Sequence, residues 1–158
     1  MLCPTRVFFV SLRKNYSVER KSPSFLLSTS PLPTPVELFA DQQEGDQLTY
    51  PTGARVFCAG EPSDSIYAVQ RGMVELSAAG EPGKMRYGPG EIFSYEDLSG
   101  ARLTHRCDAL ALTPVAVVRL PRARFIELIL RHPTIVLALL ERQHSRLREQ
   151  RLQARHYY

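Results

Sequence analysis

From Gln47 to Leu120 the chain runs in short apolar stretches of β-branched, aromatic and aliphatic residues, broken by glycine and proline. A period near two over so short a run predicts strands, placed here at Arg55 to Cys58, Ser65 to Gln70, Met73 to Ala78, Lys84 to Tyr87, Leu103 to Leu112 and Val115 to Leu120. Glycines between the runs, among them Gly53, Gly60, Gly72, Gly80, Gly88, Gly90 and Gly100, set turns about 8 to 12 residues apart, the spacing of an antiparallel sandwich or barrel. The strongest hairpin pattern is Ser65 to Ala78, turning at Arg71-Gly72.

After Pro121 the apolar period lengthens to about 3.6, with Phe125, Leu128 and Ile129 on one side of a short helix that His132-Pro133 interrupts. Pro133 then opens a second helix, and nothing between Thr134 and about Arg155 is Gly or Pro. Leu140, Leu147 and Ala154 recur at sevens, with Val136, Gln143 and Gln150 at the intervening steps. This spacing suits either a helix packed on its own sheet or the seam of a parallel dimer. The expected fold is therefore mainly β, an antiparallel sandwich or barrel over about 47–120, followed by a short helix and a long helix over about 121–156.

The first 35 residues differ in texture. They are rich in Ser and Pro, without a sustained apolar period, and read as a disordered extension or one that a later translation start would remove. The domain proper is then 36–158. Apolar runs such as Ile126 to Leu130 are far shorter than a membrane span requires. Cys3, Cys58 and Cys107 form no CxxC pair, and so odd and scattered a set argues against a disulfide framework or a structural zinc site. A reducing cytoplasm is the expected location.

Charge divides the chain into three blocks. Residues 1–35 carry five basic groups against one acidic, 36–118 carry 6 against 12, and 119–158 carry 9 against 3. The arginines of the last block, Arg142, Arg146, Arg148, Arg151 and Arg155, lie around most of a helix, which fits a solvated face better than a single binding stripe. His105, His132, His144 and His156 never form a His-x-His pair, and no Gly-x-Ser-x-Gly elbow occurs, so no catalytic residue and no metal ligand is assigned.

The run from Gly53 through Gly60-Glu61, Asp64, Tyr67 and Gly72 to Leu76 resembles the opening strands of the cyclic-nucleotide-binding domain. Gly88-Pro89-Gly90-Glu91-Ile92-Phe93 is similar to the turn entering its phosphate-binding cassette. Ala109 to Val115, Arg124-Phe125 and His132-Pro133 resemble its exit strands and helices. The likeness covers about residues 36–156 and is greatest to the sensor half of Crp/Fnr transcription regulators. It implies a mainly β fold, a double-stranded β-helix (jelly-roll) sandwich with a C-terminal short helix and long helix, and a cassette in which backbone N–H groups and an arginine hold a phosphate while a glutamate accepts from the ribose.

At those decisive places the chain departs from the family. Where cyclic-AMP-binding members read Phe-Gly-Glu and then Arg-Ser-Ala or Arg-Thr-Ala, this chain has Phe93-Ser94-Tyr95, with Glu96 one place late, and His105-Arg106-Cys107. Candidate ligand-binding residues are thus Phe93, Ser94, Tyr95, Glu96, Arg102, His105, Arg106 and Cys107, with Gln150 and Arg151 in the base-reading register of the long helix. Alternation along a strand turns His105 inward if Arg106 faces out.

The function expected is that of a non-catalytic regulatory domain, with a cyclic nucleotide or another small anion as the candidate ligand. The alternative is a ligand-free scaffold, or a stand-alone partner that dimerises with full-length regulators through the long helix. A homodimer or a partner protein on that helix is expected in either case. The chain ends at Tyr158 with no room for a helix-turn-helix, so neither sequence-specific DNA binding by this chain alone nor a membrane is expected.

Overall fold

The computed structural model describes residues 34–41, 45–81, 83–99 and 103–155. Among the described residues eight antiparallel strands form two four-stranded sheets. They are β1 (Asp46–Tyr50), β2 (Arg55–Phe57), β3 (Ser65–Arg71), β4 (Val74–Ser77), β5 (Lys84–Tyr87), β6 (Ile92–Phe93), β7 (Asp108–Ala111) and β8 (Val115–Pro121). One sheet runs β1-β8-β3-β6 and the other β2-β7-β4-β5. This is the expected jelly roll, and three helices among the described residues accompany it: α1 (Pro35–Ala40), α2 (Arg122–Arg131) and α3 (Thr134–Arg155). The expected extension over 1–33 lies outside the described residues.

Strand β3 explains the layering. Tyr67 and Val69 point between the sheets, where they meet Phe57, Val74, Tyr87, Phe93 and Val117. Ile66 and Ala68 point the other way, onto Phe39, Phe125, Leu128 and Ile135 of the helices. A strand buried on both faces must be apolar at successive positions, and Ile66 to Val69 is. The helices thus roof the outer face of the first sheet, and α3 continues beyond it.

Three expectations need correction. Ser65 to Ala78 is not a hairpin: β3 and β4 belong to different sheets, and Gly72, at φ +87°, carries the chain from one to the other against Pro114. The hairpin is β4–β5, with Val74 opposite Tyr87 and Ser77 opposite Lys84. The strand expected over Leu103 to Leu112 is shortened to β7, with Thr104 in an isolated bridge to Pro62. Around His105 the backbone pairs with a loop instead, since its N–H donates to Glu61 O and its carbonyl accepts from Gly60 N–H. Lastly, α1 begins at Pro35, inside the segment expected to lack structure, with a capping box between Thr34 and Glu37.

Candidate functional site

The segment after β6 makes the cassette. Ser94 follows Phe93 at φ +70°, the one positive value among the described non-glycine residues, and it stands where the resembled family carries glycine. A 3-10 turn, Tyr95–Ser99, follows at once. Phe93 itself is wholly buried and stacks on Tyr67 with ring centroids 5.3 Å apart, so it belongs to the core between the sheets.

His105 is buried, with its imidazole flat on the Phe57 ring at 3.6 Å between centroids. Its Nδ1 lies 3.0 Å from Asp97 Oδ2 and 3.2 Å from Ser94 Oγ. A carboxylate can only accept, so Nδ1 carries the proton and donates to Asp97. The same carboxylate oxygen lies 3.4 Å from each of the hydroxyls of Ser94 and Ser63. Asp97 and Ser63 were not among the residues singled out from sequence. They are 34 residues apart, and no local pattern brings them together.

The remaining candidates are dispersed. Arg106 is exposed, whereas His105 is buried. Cys107 is half-buried and is the free cysteine among the described residues. Burial, with Asp97 and Glu96 nearby, pushes its thiol above the usual range, opposite to what a reactive thiolate needs. Cys58, expected in the core, is buried. Gln150 and Arg151 are exposed on α3, and Arg102 lies outside the described residues. Among the described residues no three His, Cys, Asp or Glu side chains cluster as a metal set.

Tyr95 and Glu96 face α3 instead of the cassette interior. Gln143 Nε2 donates to the Tyr95 hydroxyl and, over 2.9 Å, to Glu96 Oε1. Burial raises the Tyr95 phenol above its usual range, so it stays neutral and accepts this bond. On the same helix, Arg142 Nε and Arg146 reach Glu91 Oε1 at 3.0 and 2.8 Å, and Gly88 N–H donates to the other oxygen of Glu91 at 2.6 Å. Burial would push the Glu91 carboxyl up; the Gly88 amide and the two guanidinium groups outweigh it and hold it below the ordinary carboxylate range. Arg142 and Arg146 are therefore docking residues, contrary to the expectation of a merely solvated basic face. Gln143 likewise leaves the expected helix seam, because its amide is committed to the roll.

Beside these contacts lies a cleft of about 450 Å³ between the roll (Tyr87, Pro89 to Ile92 and Tyr95) and α3 (Ala138, Leu139, Glu141, Arg142, Ser145 and Arg146).

The sequence model of the cyclic nucleotide-binding domain matches residues 47–132. The chain belongs to that family, a regulatory one. Solved structures of similar fold include the c-di-GMP responsive global regulator CLP of Xanthomonas campestris, with 21% identity, a TM-score of 0.63, and coverage of 74% of this chain and 59% of that one. The catabolite activator protein of Thermus thermophilus shares 24% identity at a TM-score of 0.56, over 73% and 55% of the two chains. The sensor domain of the transcriptional regulator DNR from Pseudomonas aeruginosa shares 22% at 0.53, over 72% and 77%. Among curated proteins, Glutaminase 2 of Bradyrhizobium diazoefficiens is 32% identical over 91 residues, which are 58% of this chain and 14% of that protein. The chain thus spans about a seventh of that relative. Among the described residues no helix is long and apolar enough to cross a membrane.

Proposed function

We propose that this cyclic-nucleotide-binding-type domain is a non-catalytic regulatory module of the cytoplasm that works through α3, with a second copy of the chain as the partner. The observation that carries the reading is the outward face of the helix. Leu137, Leu140 and Leu147 are 66%, 53% and 49% exposed, at steps that place them on one side, while Ile135, Gln143 and Arg146 turn to the roll. Their spacing of three and seven is that of a heptad seam, with His144 between. Apolar residues held in such a row are covered when two helices pair.

The test is the mass of the full chain in solution by light scattering. A mass twice that of one chain, falling to one in Leu147→Glu, supports the reading. A monomer at tens of micromolar overturns the homodimer, and capture of a full-length Crp/Fnr relative under those conditions assigns the same face to a mixed dimer.

A second reading, sensing of a small anionic ligand, is favoured by the cleft beside Arg142 and Arg146 and by the c-di-GMP response stated for the Xanthomonas regulator. It predicts a rise in melting temperature with cyclic AMP, cyclic GMP, cyclic di-GMP or 2-oxoglutarate. The rise is lost in Arg146→Ala if the cleft is the site. No rise with any of the four leaves the helix reading in place.

A further inference from the structure

Three donors from three separate segments converge on one oxygen: Ser63 Oγ before β3, Ser94 Oγ after β6 and the Nδ1–H of His105 before β7 all face Asp97 Oδ2, at 3.4, 3.4 and 3.0 Å. Each of these residues is buried, none more than 8% exposed, and no buried side-chain nitrogen or oxygen among the described residues lacks a partner. Donors gathered from so far apart in sequence around a single negative oxygen form a seat for an anion. The fold also holds Ser94 at φ +70° to complete it, a left-handed conformation that a residue with a Cβ adopts only under strain.

We infer that this is an anion seat closed by the chain's own carboxylate, and that Asp97 is the residue that determines its specificity by excluding small external anions. A carboxylate or phosphate brought to His105 would meet the Asp97 charge at contact distance, in surroundings that screen it poorly. Nothing can enter until the 3-10 turn that carries Asp97 moves or Asp97 is removed. The seat does not depend on how α3 is used, so the oligomer experiment and the one below fail separately.

The experiment is chemical rescue. Full-length wild type and Asp97→Ala are melted in chloride, formate and inorganic phosphate at equal ionic strength and constant pH. Formate, the smallest carboxylate, should raise the melting temperature of Asp97→Ala by roughly 5 °C over chloride and leave the wild type unmoved. The double variant Asp97→Ala with His105→Phe, which removes the strongest donor, should lose the response. If Asp97→Ala is unfolded in chloride, recovery of folded circular dichroism in formate is the expected result. Equal anion responses in wild type and Asp97→Ala overturn the inference, as does a folded Asp97→Ala indifferent to formate, or an unfolded one that formate does not restore.

Discussion

Arg146 donates to Glu91 Oε1 across 2.8 Å and so ties the long helix to the turn before β6, over 55 residues of sequence. Its guanidinium also lies 4.0 Å above the Tyr87 ring and donates to Arg86 O at 3.0 Å. One side chain therefore satisfies a carboxylate, a carbonyl and an aromatic face at the same place. Replacing Glu91 with Gln keeps the shape and removes the charge that two arginines share. We expect a loss of about 1–2 kcal/mol in urea unfolding, the value of a charge-assisted bond in a partly buried site. A loss below a few tenths would mean that α3 is held to the roll by its apolar contacts alone.

Because the Glu91 carboxyl sits below its ordinary range in the folded chain, its contribution has a definite sign against pH. Protons bind more weakly to the folded than to the unfolded state, so the contribution is complete above the unfolded value of about 4.3 and is lost as pH falls below it through the folded value. Glu91→Gln removes that dependence. Plots of unfolding free energy against pH for the two proteins should run parallel from pH 7 to about 5 and converge below about 4. Curves that remain parallel throughout the acid limb would show that the pairing does not perturb Glu91.

How much of this was legible in the sequence depends on the range of the contact. The many-stranded pattern and both C-terminal helices follow from local periods and glycine spacing, and the jelly roll follows from the resemblance of its motifs. Strand β1 escaped notice because, of Asp46 to Tyr50, only Tyr50 is buried, so an edge strand shows no apolar alternation. The two residues of β6 are too few to show a period. Arg71-Gly72 was misplaced because a glycine turn looks the same whether the chain returns to its own sheet or crosses to the other. Asp97 was passed over for a related reason: nothing local distinguishes it from Glu96, and only the folded chain brings it to His105.

The crossing at Gly72 gives a sharp comparison between two glycines. Gly72 and Gly80 have φ of +87° and +83°, so alanine suffers the same left-handed strain at both, about 1–2 kcal/mol. At Gly80 the new methyl meets open space, whereas at Gly72 it would lie 2.3 Å from Pro114 O, a backbone atom that cannot move without shifting β8. Gly80→Ala should therefore cost only the strain, and Gly72→Ala clearly more, enough to lower the yield of folded protein. Equal urea midpoints for the two variants would mean that the sheet crossing is looser than this geometry.

The helix α1 adds a last dependence, on a segment that precedes the roll. Phe39 is fully buried, with its ring edge-on to Phe125 of α2 at 5.6 Å between centroids, and it touches the outer face of β3 through the cluster around Ile66 and Ala68. The six residues of α1 are too few to be helical alone; the capping box sets its start and the Phe39 anchor holds it down. Phe39→Ala should cost about 3–5 kcal/mol, the range for emptying a fully buried aromatic site, and Phe39→Leu less than about 1.5. Urea unfolding followed by circular dichroism separates these values. A loss below about 1 kcal/mol for Phe39→Ala would show that α1 is dispensable to the roll, since a buried ring that bridges two elements cannot be removed at so small a cost.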